Sequence, residues 1–197
     1  MSGHTLERRK VMAQLLTGRG DLLVITGLGA SAWDLASMSN SELDFPLWGG
    51  MGGAAAFGLG LALAQPSRRV VVFTGDGEML MALGTLSTIA AARPQNLSIV
   101  VLDNERYGET GSQRTHTAEG VDLAGVALAC GFPKAVTILE SGGIEALRVD
   151  LHGHQGPLLA VVKVALTADP MTLPPRDATY LKNRMRQALL GPQAVFE

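Results

Sequence analysis

Cysteine is all but missing from the 197-residue chain. The lone Cys130 excludes an intrachain disulfide and fits a reducing compartment. Within the apolar stretch 126–130 it is expected to be buried filler, not a reactive thiol. Uncharged apolar runs of 18 residues are absent as well, so no segment is expected to span a membrane. Met1 to Lys10 is polar, carries Glu7, Arg8, Arg9 and Lys10, and leads into no signal-type apolar core, which makes the cytoplasm the default location. Neither sign of charge dominates: 16 Lys and Arg against 18 Asp and Glu leave a formal −2, without the basic footprint of a nucleic-acid binder. No G-x-x-x-x-G-K-[ST] occurs, which argues against a P-loop kinase or ATPase. Internal repeats and low-complexity tracts are missing too.

Glycine and apolar residues are abundant instead. With 24 glycines and 47% hydrophobic residues, the chain reads as a tightly packed α/β domain. Periodicity predicts a helix over 6–16, a strand over 22–26, a helix running to about Met38 and another over 54–64. A strand over 70–74 is followed by a helix from about Met79 to Ala92, with Leu80, Leu83, Leu86 and Ala90 on one stripe, stopped by Pro94. The strand 97–102 leads into a polar, glycine-containing loop, 103–120. Then come a helix over 122–130 closed by Gly131, a strand over 135–139, a helix over 142–152 and a strand over 158–164. This alternation predicts a doubly wound, mostly parallel sheet with helices on both faces. Residues 1–168 form one ligand-binding domain in this reading. Pro170, Pro174 and Pro175 open a C-terminal region, 169–197, as a linker before a last helix over 178–190, packed on the same domain or on a partner.

Gly75-Asp76-Gly77 follows the apolar run Val70 to Thr74, and after 25 intervening residues that end with the run Leu97 to Leu102 stands Asp103-Asn104. A carboxylate at the end of one strand and a carboxamide at the end of the next place two hard oxygens at one edge of a parallel sheet. Such a pair suits Mg²⁺ holding a diphosphate. Either tripeptide alone is ordinary turn chemistry; the order, spacing and intervening helix set the pair apart. A competing motif is Gly27-Leu28-Gly29-Ala30-Ser31-Ala32, which matches the G-x-G-x-x-A dinucleotide fingerprint after a strand. Its required sequel, a second strand ending in an acidic residue about 20 positions on, is not evident in the polar zone 38–45. The same turn offers backbone N–H groups at a helix N-terminus to any phosphate. His116 is the histidine in a plausible active-site loop, a candidate acid or base, whereas His4, His152 and His154 look like surface residues. Arg114 is a candidate partner for an anionic substrate group.

The G-D-G and D-N pair resembles the metal and cofactor motif of thiamine diphosphate enzymes. That resemblance implies Mg²⁺ held by Asp76, Asn104 and the carbonyl of Arg106. The segment Trp48-Gly49-Gly50-Met51-Gly52-Gly53 resembles the family's stretch beneath the cofactor rings. There Met51 would wedge between the rings and the Gly49 carbonyl would accept from the 4′-amino group, with Gly50 alongside. Gly29, Ala30 and Ser31, with Gly75, Gly77 and Glu78, would contact the diphosphate, and Tyr107 and Gly108 complete the implied set. The run Leu102 to Gln113, with its Tyr-Gly-x-Thr-Gly-x-Gln, looks most like the β half of sulfopyruvate decarboxylases and the related phosphonopyruvate decarboxylases.

In this family a glutamate from a separate domain activates the pyrimidine N1′, and the resemblance, over about residues 20 to 165, covers only the diphosphate-binding half. A second, pyrimidine-binding polypeptide is therefore expected, in a hetero-oligomer that also self-associates. Pyruvate-type members place a catalytic glutamate where this chain has Thr110. Glu109 is adjacent and, like His116, only a candidate. The departure disfavours simple pyruvate and favours small anionic 3-sulfo- or 3-phosphonopyruvate-like 2-oxo acids. The expected function is thus the diphosphate-binding subunit of a 2-oxo acid decarboxylase. Another thiamine lyase, carboligase or oxidoreductase subunit, a non-catalytic cofactor-binding relative, and an NAD-binding domain are the alternatives.

Overall fold

The computed structural model describes residues 4–153 and 155–195, so His154 lies outside the described residues. In chain order the first half holds α1 (Arg8–Leu15), β1 (Leu23–Thr26), α2 (Ala30–Met38), β2 (Asp44–Pro46), α3 (Ala54–Ala64), β3 (Val70–Gly75), α4 (Asp76–Met81) and α5 (Thr85–Ala92). The second half holds β4 (Leu97–Asp103), β5 (Arg106–Tyr107), β6 (Gln113–Arg114), α6 (Leu123–Cys130), β7 (Lys134–Ile138), α7 (Gly142–Gly153), β8 (Leu158–Lys163) and α8 (Ala178–Leu190). Six strands form one sheet in the order β2-β1-β3-β4-β8-β7, every neighbouring pair parallel.

Side-chain alternation divides the interior in two. Leu23, Ile25, Val70, Val72, Ile99 and Val101 face α3, α4, α5 and α6. Val24, Val71, Phe73, Val100 and Leu102 face α1, α2 and α7. Both faces of a fully parallel sheet are thus covered, which is why its strands read as continuous apolar runs. Among the described residues, no helix is long and apolar enough to cross a membrane.

The structure departs from the periodicity reading in three places. The helix expected from Met79 to Ala92 starts earlier, at Asp76, and breaks at Ala82-Leu83-Gly84 into α4 and α5. Ala82, at φ −116 and ψ 33, is the residue that leaves the helix, whereas Gly84 keeps helical dihedrals. The buried stripe is Met79, Leu86, Ile89 and Ala90, with Leu80 and Leu83 only half-buried. The zone 38–45, read as strandless, contributes the short edge strand β2 beside β1. Three residues ending in proline are too few to show alternation, and proline is tolerated there because β2 is an edge. Finally, the loop 103–120 is a structured excursion: the β5–β6 hairpin, with Tyr107 opposite Gln113, and a 3-10 turn over His116–Glu119.

The C-terminal segment packs on the rest of this chain. Leu181 and Met185 are buried, Arg184 donates to Asn40 Oδ1 at 2.9 Å and to the Asp44 carbonyl at 3.0 Å, and the Trp48 indole donates to the Pro175 carbonyl at 2.6 Å.

Candidate functional site

β1 leaves the sheet over one face, through α2 to β2, whereas β3 leaves over the other, through α4 and α5 to β4. Their carboxyl ends therefore part into a crevice, the position where open parallel sheets take ligands. Three strand ends meet there. The turn after β1 brings Ala30 and Ser31, β3 delivers Gly75 to Glu78, and β4 delivers Asn104 and the hairpin residues Arg106 to Glu109; Met51 closes one side.

Asp76 is 2% exposed. Its Oδ2 accepts from Thr115 Oγ1 at 2.5 Å and from Thr117 Oγ1 at 3.2 Å. Burial, and next the charge of nearby Asp103, push its carboxyl up from 3.8 to about 6, and the hydroxyl hydrogen bonds only partly offset this. Thr117 Oγ1 also lies 2.9 Å from Asp103 Oδ1, so its single proton is shared between the carboxylates at the ends of β3 and β4. Asp103 itself faces Lys163 at 2.9 Å and accepts from the Glu105 amide at 3.0 Å, which makes it an anchor of the turn. Asn104 Oδ1 accepts from the Arg106 amide at 2.9 Å, fixing the carboxamide while leaving an acceptor lone pair. Glu105, at φ 63, turns away to Lys163 at 2.9 Å and His4 at 3.1 Å. Burial would raise its carboxyl, but these two contacts hold it below the usual range.

The Glu78 side chain is taken up within the protein, so its expected diphosphate contact would fall to its backbone amide in the first turn of α4. Its carboxylate accepts from Thr74 Oγ1 at 2.8 Å and the Gly52 amide at 3.2 Å, and also faces the backbone of Ala54 and Leu28. It ties together the glycine-rich turn, the turn after β1 and β3, and burial raises its pKa. A Cβ on Gly27 would overlap this carboxylate, so the first glycine of the fingerprint-like motif exists for Glu78. Asp44, the acidic residue nearest the dinucleotide position, is buried and taken up by Arg19, Ser39 and the Ser41 amide. It has no face left for a ribose hydroxyl.

Of the residues singled out from sequence, Ala30, Ser31, Met51, Gly75, Asp76, Gly77, Glu78, Asn104, Arg106, Tyr107, Gly108 and Glu109 border the one cleft. Gly29 stands next to it as the N-cap of α2. Gly49 and Gly50 occupy the turn before Met51 without lining the cleft. His116 is exposed and outside it, and Arg114 is exposed and paired with Glu119 at 2.9 Å. The side chains that do reach inward are the neighbours of His116, Thr115 and Thr117, both buried. Their alternation around His116 was a legible signal, obscured by the histidine. His4 and His152 are half-buried, not surface residues.

The donor set fits Mg²⁺ with a diphosphate. Among the described residues no group of three His, Cys, Asp or Glu could hold a metal. Asp76 and Asn104 offer two side-chain oxygens and leave most of an octahedral shell to other oxygens, as a phosphate-bridged Mg²⁺ requires. Gly75 points the same way: at φ −85, a Cβ there would meet no protein atom within 4 Å, although the residue lines the cleft.

A family profile described as thiamine pyrophosphate enzyme, C-terminal TPP binding domain, matches residues 27–173. The chain is 43% identical over 159 residues to the sulfopyruvate decarboxylase subunit beta of Methanothermobacter thermautotrophicus, covering 81% of this chain and 82% of that one. It is 46% identical over 112 residues to the phosphonopyruvate decarboxylase of Streptomyces viridochromogenes, covering 57% of this chain but 28% of that protein. The structure of benzoylformate decarboxylase from Polynucleobacter necessarius superposes with a TM-score of 0.71 at 18% identity, over 84% of this chain and 34% of that one, a likeness of fold.

Proposed function

Because this chain belongs to the thiamine pyrophosphate enzymes, through their C-terminal cofactor-binding domain, we propose that it is the diphosphate-binding subunit of a 2-oxo acid decarboxylase, working with thiamine diphosphate and Mg²⁺ on a sulfopyruvate- or phosphonopyruvate-like acid. The observation that carries this reading is the convergence of Asp76 and Asn104, from neighbouring strand ends, on one cleft at the point where the sheet's connections diverge. When bound, the cofactor supplies the electron sink that allows a 2-oxo acid to lose CO₂. Asp76, Asn104 and the Arg106 carbonyl would hold the metal. Backbone amides at the starts of α2 and α4 would bind the diphosphate oxygens. Met51 would present an apolar support to the rings, and the β5–β6 hairpin would exclude water from the cleft's far side.

The substrate class rests on the printed names of the two relatives. A separate pyrimidine-binding subunit, supplying the activating glutamate, is supported by the word subunit in the name of the relative that this chain covers to 82%. The low cysteine content supports a cytoplasmic site of action.

Fluorescence of Trp33 and Trp48 reports the test. Thiamine diphosphate should bind saturably and only with Mg²⁺, Asp76→Ala should weaken binding at least roughly 100-fold through loss of a charged metal ligand, and the chain with its partner should release CO₂ from sulfopyruvate or phosphonopyruvate. Stoichiometric Mg²⁺-dependent cofactor on Asp76→Ala would overturn the metal assignment. Nicotinamide nucleotide binding without Mg²⁺ would favour the dinucleotide reading.

A further inference from the structure

Arg8 borders the cleft from α1, beneath the sheet edge, yet nothing in the sequence motifs points to it. Its residue is only 7% exposed. A buried guanidinium needs partners, and Asp34, fully buried one turn along α2 from Ser31, provides most of them. Arg8 Nε donates to Asp34 Oδ2 and Nη2 reaches Oδ1 at 3.4 Å, while Nη2 also stands 3.6 Å from Asp169 Oδ2. Arg9 Nε donates to the same Asp34 at 3.0 Å. Nη1 has no partner among the described residues, and the cleft is the open space that Arg8 borders.

We propose that Arg8 is an anion-binding residue of the cleft, its free Nη1 directed at the diphosphate. The inference rests on the cofactor reading above and deepens it. The clamp on Asp34 fixes the planar fork before any ligand arrives, so little side-chain entropy is left to lose on binding. Through Asp34, one turn along α2 from Ala30 and Ser31, Arg8 is tied to the helix whose first residues line the same cleft and are expected at the diphosphate. Residues of the first turn of α2 and a guanidinium from α1 thus border the same cleft. Arg is suited to this by geometry, since its fork matches phosphate oxygens.

The test compares three probes on the full chain, with any partner that co-purifies, in Mg²⁺: thiamine diphosphate, inorganic pyrophosphate and thiamine. Arg8→Gln should weaken the first two by roughly 10- to 100-fold, the range for a hydrogen bond to a charged group, and leave thiamine unchanged. Asp34 keeps Arg9 in that variant, and circular dichroism with a thermal melt checks the fold. Should Arg8→Gln not fold, Arg8→Lys carries the same comparison, with a several-fold loss expected because one ammonium cannot hold Asp34 and a phosphate together. Unchanged diphosphate and pyrophosphate binding in a folded variant would overturn the proposal, as would an equal loss for thiamine, which would make Arg8 merely structural. A wild-type chain that binds neither phosphate ligand would instead overturn the cofactor reading itself.

Discussion

At the scale of the residue, the cleft is governed by how burial resists the ionisation of Asp76. Thr115 donates to it and Thr117 shares its proton between it and Asp103, but burial and the charge of Asp103 prevail and lift its carboxyl to about 6. An acid whose folded-state pKa is raised binds its proton more tightly folded than unfolded, so its contribution to stability is greater at low pH and is lost as pH rises from 3.8 to about 6. A bound cation reverses that balance, since Mg²⁺ takes only the ionised form. Two expectations follow for thermal melts. The ligand-free chain should lose the Asp76 contribution between about pH 4 and pH 6, and Asp76→Asn should remove that dependence. Stabilisation by Mg²⁺ with thiamine diphosphate should be full at pH 7 and fade as pH falls through about 6. Ligand stabilisation that is undiminished at pH 5 would mean that Asp76 is already ionised there and that its carboxyl is not lifted to about 6.

At the scale of the element, the strand-end turn Gly75-Asp76-Gly77 uses its two glycines for different reasons. A Cβ on Gly77 would lie 2.6 Å from ring carbons of Tyr107, so this glycine lets the β5–β6 hairpin sit down on the turn. A Cβ on Gly75 would touch no protein atom but would project where the residue borders the cleft. Gly77→Ala should therefore destabilise the chain by about 1–3 kcal/mol, the usual cost of overpacking. Gly75→Ala should leave stability unchanged or raise it by about 0.4–1 kcal/mol, because its φ suits alanine, while weakening cofactor binding. Urea melts together with cofactor titrations separate the two. Equal destabilisation by both substitutions would mean that the turn is only structural. The break between α4 and α5 belongs to this scale as well: α4 is tied to the strand end through Asp76 and Glu78, and Ala82 leaves helical geometry so that α5 starts afresh.

At the scale of the whole molecule, the topology turns distant segments into one site. Trp48, at the base of the Met51 turn, is held by the Pro175 carbonyl and lies under Arg176 at 5.1 Å, so the C-terminal segment braces a wall of the cleft from about 125 residues away. Arg8 and Asp34 brace the opposite side from α1 and α2. The predicted pyrimidine-binding partner belongs here. Native mass spectrometry of the tagged chain isolated from its own host should show a second polypeptide in fixed proportion, with thiamine diphosphate and Mg²⁺. A homo-oligomer without thiamine would move the non-catalytic and nucleotide-binding readings ahead.

The strands were legible because a fully parallel sheet buries both faces, and so writes itself as apolar runs such as 70–74 and 97–102. The Asp76 and Asn104 pair was legible because residues at strand ends inherit the fixed length of a β-α-β unit. The sequence alone thus determined the doubly wound class, the Asp76 and Asn104 pairing and the family resemblance. Only the tertiary structure decided which side chains complete the site. Thr115 and Thr117 reach Asp76 across 39 and 41 positions, and Arg8 reaches Asp34 across 26. The Glu78 side chain serves as a structural tie, and His116 is turned outward. Contacts between distant segments follow from how helices cross a twisted sheet, and local periodicity carries no information about that crossing.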